Sequence, residues 1–256
     1  MKDKNWTYIF LGSYPQTLKA ENVKIVSDIA NEKGYYKGSD GNLYAKQIGA
    51  PYAPYEEGLR FKNGEEIEEN KVYYFKVEPI KWMVLQKEED DMFLLCDQII
   101  DINIFDLKTN DYKESSVRKY LNDEFINKAF TPEEKQKIKE TLIKIDESTL
   151  EEDSEINTKE KCIDKVFLLS LEDIKNQDLG FDNNERFSIS RQKQGSDYSL
   201  AKGMCEFCDK GWYYLRTSII GEKTSVNYVY FDGNIGIIDV YYKDGGIAPA
   251  IHIKVN

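Results

Sequence analysis

The rhythm of hydrophobic and polar positions changes several times along the chain. Up to about residue 70 there is little period, and GYYKGSDGNLYAK and GAPYAPYEEG carry glycine, proline and tyrosine with turn signals such as Asp40-Gly41. A period of two then sets in. Val72, Tyr74 and Lys76 alternate with Tyr73, Phe75 and Val77, so FKNGEEIEENKVYYFKVEPIKWMVLQ reads as strand, acidic turn, strand. KWMVL and DMFLLCDQII form the arms of a hairpin around QKEEDD.

Helical spacing follows. SSVRKYLNDEFINKAF sets Val117, Tyr120, Leu121, Phe125 and Phe130 near one face, with Ser115 or Ser116 as N-cap. TPEEKQKIKETLI opens on a capping threonine, a proline at the first helical position and glutamates in the first turn, which predicts a second helix. DESTLEEDSEINTKEKCID is acidic and polar and reads as an exposed loop. KVFLLS is a short buried strand or turn, and SLEDIKN opens on another cap-like serine. The stretch 178–210 has few periodic apolar positions and reads as a long irregular loop.

The last quarter is all strand: WYYLRTSII, then SVNYVYFDGNIGIIDVYYKDGG with an Asp-Gly turn between alternating arms, then IAPAIHIKVN. Gly245-Gly246 supplies the next turn. Strands, two helices, a long loop and an antiparallel meander make an α+β protein rather than an alternating α/β one. No repeat or heptad array is present. The expectation is one domain over 1–256, with 21–77 as a loop-rich N-terminal elaboration on a core of 78–256.

Composition narrows the function. The chain has 256 residues, enough for a real core, and no apolar run approaches the roughly 18 residues of a membrane span. The N-terminus shows no basic region followed by an apolar stretch and a small-residue cleavage site, so a cytoplasmic chain, or a mature form without its signal, is expected. With 46 acidic and 35 basic side chains the net charge is −11. That field repels phosphate backbones and anionic membranes and suits a basic protein partner. Direct nucleic-acid or membrane binding is therefore not expected.

Catalytic chemistry is thinly signalled. His252 is the single histidine, which speaks against histidine triads and multi-histidine metal sites. Neither phosphate-cradling glycine motif is present. YFDGNIG resembles part of a calcium loop but lacks the spaced acids, and a hairpin explains it better.

The densest patch is CEFCDKGWYYLRTS, residues 205–218. Cys205 and Cys208 have metal-knuckle spacing but supply only two of the four ligands a structural zinc needs. Cys96 and Cys162 sit in apolar runs and read as core, so no cofactor is expected and zinc is the alternative. A redox pair would open a helix after a strand, whereas this pair precedes one and sits beside Glu206 and Asp209, which raise thiol pKa. The reading adopted is two loop thiols. In the strand that follows, Trp212, Tyr214 and Arg216 share one face, with Tyr213 and Leu215 on the other. Arg118 and Arg216 are assigned to structural ion pairs. Among the 18 tyrosines, those in glycine-, serine- and asparagine-rich loops suit recognition surfaces. Trp212, Tyr213, Tyr228, Tyr230 and Tyr241 are the candidate ligand-binding residues.

Several stretches occur in a familiar order: IFLGSYPQT, IKWMVL with FLLCDQII, ESSVRKYLNDEFINKAFTPEEKQKI, DKVFLLSLEDI, GWYYLRTS and GGIAPAIHIKV. Over most of 9–20 and 78–256 the chain resembles a large uncharacterised bacterial domain family. That family is similar in turn to the C-type-lectin-like fold, shared with formylglycine-generating enzymes and retroelement-diversified receptors. The resemblance implies paired terminal strands around the helices, loop and meander. Thr217 stands where the family has serine and Ala248 where it has arginine. The calcium and sugar motifs of true C-type lectins are absent, and Cys205 and Cys208 lie in the wrong context for the copper-binding pair of the enzymes.

The resulting expectation is a non-enzymatic binding module for a protein ligand. Two alternatives stand beside it: an acidic inhibitor, of phage or mobile-element type, of a basic nucleic-acid-binding enzyme, and a cysteine-dependent metal or redox protein.

Overall fold

The longest strand, β4 (Val72–Lys87), organises the first sheet. Its alternation buries Tyr73 and Phe75, then Ile80 and Trp82. The structure, a computed structural model, describes residues 6–52, 59–150, 155–182 and 187–255. The tip of the GAPYAPYEEG loop at 53–58 and the acidic stretch 151–154 lie outside the described residues.

One edge of β4 pairs with β1 (Tyr8–Leu18), from Tyr8↔Met83 to Leu18↔Phe75. The other edge carries β3 (Leu43–Ile48), with β2 (Tyr35–Lys37) outside it, and further along β5 (Asp91–Cys96). Beyond β5, β16 (Ala250–Lys254) lies between β5 and β9 (Val166–Phe167). All these pairings are antiparallel. The expected pairing of the terminal strands is not what forms. β1 and β16 share the sheet, but β4 and β5 lie between them. The elaboration 21–77 is sewn into the same sheet through β2, β3 and the first half of β4. Asp197 also fastens it, accepting from the backbone N–H of Leu18 at 2.9 Å and Lys62 at 3.0 Å.

The second sheet centres on β12 (Tyr213–Ile219), in which every residue is buried. β13 (Ser225–Val229) and β14 (Ile235–Asp239) follow antiparallel as a meander. On the other side lie β7 (Thr141–Ser148), with β8 (Ile156–Asp164) outside it, and β15 (Gly246–Ile247) beside β6 (Asp101–Ile102). A separate small hairpin is made of β10 (Glu206–Phe207) and β11 (Lys210–Gly211). The fold is mixed helix and sheet, mostly antiparallel, with few helices.

Ser115 caps the first helical run, 116–129, accepting from the N–H of Arg118. Its middle turn, Tyr120–Phe125, is π-helical. Val117, Leu121, Phe125, Ile126 and Ala129 face the core. Phe130, just after it, stacks on Trp82 at 6.2 Å, and the Trp82 indole N–H donates to Leu11 O at 2.8 Å. Full burial of such rings stabilises by roughly 1.5–3 kcal/mol each.

Three local expectations are corrected. The helix beginning at Thr131 has its full capping box but stops at Lys137. From Thr141 the chain is β7, because Ile143 and Ile145 are β-branched, alternate, and are buried in the second sheet. Much of the acidic loop expected after it is the outer strand β8, which is polar because it buries only Cys162 and Asp164. The stretch 178–210 holds a helix, Asp197–Ala201, buried at all five positions. Its polar groups are satisfied internally, which hides burial from a reading of polarity. Ser196 Oγ, for example, accepts from the N–H of Ser199 at 3.0 Å.

A buried carboxylate ties these parts together. Asp101, 1% exposed, accepts from the hydroxyls of Tyr14 (2.6 Å) and Tyr120 (2.5 Å) and pairs with the Lys202 ammonium. Burial pushes its carboxyl up, but Lys202 and the donated hydrogen bonds outweigh this and leave it below the ordinary carboxylate value.

Candidate recognition surface

The CEFCDKG stretch folds as a tight hairpin. Glu206 pairs with Gly211 and Phe207 with Lys210, leaving Cys208 and Asp209 as a two-residue turn. Both central residues are left-handed, with φ of 50° and 59°. That is the geometry hairpin twist favours, normally filled by asparagine, aspartate or glycine. Aspartate accepts it readily; cysteine is strained there by roughly 1 kcal/mol. The turn splits the two thiols. Cys205 is buried and Cys208 exposed. Burial, then the Asp244 and Glu206 carboxylates, push the Cys205 thiol up to about 11. Among the described residues no group of three His, Cys, Asp or Glu side chains is placed to hold a metal ion.

The hairpin projects Phe207, 55% exposed, next to Phe231, with ring centroids 6.2 Å apart. From there a continuous line of rings runs inward. Phe231 meets Tyr230 at 4.4 Å, Tyr230 meets Tyr228 edge-on at 6.0 Å, and Tyr228 meets Trp212 at 5.6 Å. Trp212 lies edge-on to Tyr214 at 5.1 Å. The five candidate binding residues therefore divide. Trp212 and Tyr213 are buried anchors, Tyr228 is half-buried, and Tyr230 and Tyr241 are exposed. Tyr213 donates to Arg191 O at 2.8 Å, and the Trp212 indole donates to Asp244 at 3.3 Å. Tyr241 stacks on Tyr242 and donates to Asp239 at 2.7 Å.

The turn of the meander is held from behind. Tyr230 N–H donates to Asn234 O and Gly233 N–H donates to Tyr230 O, so the loop has three residues, closed by Gly233 at φ +82°. Arg191, 1% exposed, donates from Nε to Gly233 O at 2.8 Å, and Gln192 donates to Asp232 O at 3.1 Å. A Cβ on Gly233 would lie 1.9 Å from Ser188 O. Lys193, two residues on and also buried, donates to Cys96 O at 2.6 Å. Nothing in the sequence marked Arg191, Lys193 or the exposed Phe207. They sit in a stretch with no period, and the Cys-Asp turn lacks the usual Asn-Gly or Asp-Gly signature.

Arg118 and Arg216 both sit in ion pairs. Arg118 meets Asp164, and Arg216 Nη1 meets Asp173 at 2.9 Å while donating to Leu168 O at 2.6 Å. Arg118 ties the helical run to the end of β8, and Arg216 ties β12 to β7 and to the helix Leu171–Lys175. Acids flank the aromatic line: Asp209 at the hairpin tip, Asp232 in the meander turn, Asp239 at the end of β14 and Asp244 beyond it. Among the described residues no helix is long and apolar enough to cross a membrane.

No curated protein and no solved structure matches the chain. One family does: residues 89–255 match a domain of unknown function, DUF6273. The match starts at the β4–β5 turn and includes both arms of the hairpin, the meander and β16. The chain therefore belongs to the DUF6273 family.

Proposed function

We propose that this chain is a non-enzymatic protein-recognition module on a C-type-lectin-like frame, and that its partner presents a basic segment with apolar side chains. The observation that carries it is the line of rings from buried Trp212 to exposed Tyr230 and Phe207, ending on a strained hairpin. Rigid aromatics fixed on a packed base lose little entropy on binding, and such anchors dominate interface energies. Backbone strain of this kind concentrates at functional sites. The basic character of the partner follows from the −11 charge and the acids around the line, which steer a cationic segment. The helical run, the long connecting stretch and the meander support the lectin-like frame, and the separation of β1 from β16 departs from it.

The net charge also favours a second reading, an acidic inhibitor of a nucleic-acid-binding enzyme of the phage or mobile-element type. One experiment separates the two. Peptides selected from a random displayed library on the immobilised chain are titrated at low and high salt, against wild type and Phe207→Ser/Tyr230→Ser. Recognition through the rings gives peptides rich in Lys and Arg beside apolar residues, and the double variant loses about ten-fold or more in affinity. Binding that collapses with salt but ignores the double variant supports the inhibitor. Failure to enrich any peptide sinks the proposal.

A further inference from the structure

A cleft of about 300 Å³ opens between the two sheets and shares only β12 with the ring line. Its floor is aromatic. His252 on β16 stacks flat on Phe93 of β5 at 4.5 Å with 5° between planes, and Phe167 of β9 lies 6.0 Å from the imidazole. Cross-strand register explains the stack, since His252 pairs directly with Phe93. Ile143 and Thr141 of β7 form an opposing wall, and Asn176 stands at the rim.

Two groups in this cleft are poised by partners outside it. Asp91 Oδ2 lies 2.7 Å from His252 Nδ1, and Asp91 is itself paired with Lys139 at 2.8 Å. An ionised carboxylate only accepts, so Nδ1 carries the hydrogen and Nε2 is left without a protein hydrogen bond. Arg216 spends Nε on Lys144 O and Nη1 on Leu168 O and Asp173. None of its hydrogen bonds uses Nη2, although the side chain is only 5% exposed and lines the cleft. A guanidinium edge with no protein partner beside an imidazole, above an apolar floor, has the chemistry of a carboxylate site.

We propose that this cleft binds a small organic carboxylate with an apolar tail, its oxygens on Arg216 Nη2 and His252 and its tail on Phe93, Phe167 and Ile143. A carboxylate oxygen only accepts, so the imidazole meets it with a hydrogen on Nε2 while Nδ1 keeps its contact with Asp91. The charged groups around that ring are Asp91 on β5, Lys139 before β7, Lys144 on β7, Glu172 and Asp173 on the helix Leu171–Lys175, and Arg216 on β12. Lys144 and Glu172 pair with each other at 2.9 Å, so the Arg216 edge and the imidazole remain for a ligand.

The sole histidine makes the test direct, because every imidazole proton signal comes from this cleft. The full chain is titrated with phenylacetate and, separately, with uncharged phenylacetamide, while the imidazole resonances are followed. The expected result is a saturable shift with phenylacetate and none at matched concentration with the amide. Arg216→Lys weakens it about ten-fold. Asn176→Trp, which fills the cleft from an exposed rim, abolishes it and keeps the test valid if the arginine variant does not fold. Unmoved signals, equal shifts by the amide, or unchanged affinity in Asn176→Trp would overturn the proposal.

Discussion

Arg118 meets Asp164 side-on: Nε lies 2.8 Å from Oδ1 and 3.0 Å from Oδ2, and Nη2 is 2.8 Å from Oδ1. The carboxylate side chain is 1% exposed and the guanidinium 25%. The pair locks the helical run 116–129 to the end of β8. Removing one partner strands a buried charge, so Arg118→Met is expected to lose about 3 kcal/mol in urea unfolding. Arg118→Met/Asp164→Leu should recover most of that loss. Equal destabilisation by the single and double variants would show that the pair is not coupled.

The four cysteines should react in two classes. Burial pushes the thiols of Cys96 up to about 12 and of Cys162 and Cys205 up to about 11, while Cys208 is exposed at the turn. A thiol reagent at neutral pH should label one cysteine quickly in the folded chain, and Cys208→Ser should remove that phase. Cys208→Gly, which suits φ of 50°, should raise stability by about 1 kcal/mol. Two fast thiols in native protein would contradict the split environment of the pair.

Lys193 gives a pH dependence of unusual sign. Burial lowers its ammonium from 10.5 to about 8. Below pH 8 both folded and unfolded chains hold the proton. Between pH 8 and 10.5 the unfolded chain keeps it and the folded chain releases it, so this residue makes the fold more stable as pH rises. The stability of wild type relative to Lys193→Met should therefore rise across that window, by on the order of 2–3 kcal/mol. A gap that stays flat to pH 10.5 would mean that Lys193 is solvated.

Gly233→Ala should be among the most damaging single-methyl additions to the meander. The new Cβ would stand 1.9 Å from Ser188 O on a backbone at φ +82°. Relief requires moving the 188–192 clamp, so a loss of about 3 kcal/mol is expected. Gly221, at the same φ of +82° but with nothing within 4 Å, should lose only about 1 kcal/mol on the same change. Similar losses at both positions would remove the clamp from the explanation.

Elements with a strong period or a local cap could be read from sequence: β4, the hairpin to β5, the helical run after Ser115 and the β12–β14 meander. Where the reading stopped, long-range packing had decided the outcome. Thr131 starts a helix as its cap demands, but burial of Ile143 and Ile145 against β12 ends it early. The Asp197 helix is hidden because serine and aspartate fill a buried segment with mutually satisfied groups. The site was readable only in part. The tyrosines of the meander stood out by composition, whereas their division into anchors and exposed rings depends on which strand covers which. The cleft around His252 joins six elements spread from residue 93 to residue 252, and no local pattern foretells it.

The position of β16 sets an order of events during synthesis. Residues 250–254 are laid between β5 and β9, strands that leave the ribosome well before them. Until they arrive, both neighbours present open backbone edges, and the imidazole that completes the cleft is missing. Such edges are templates for mispairing with other chains. Closure of the first sheet thus waits for β16, and a nascent chain stalled before Ala250 should engage holdase chaperones that the folded protein ignores.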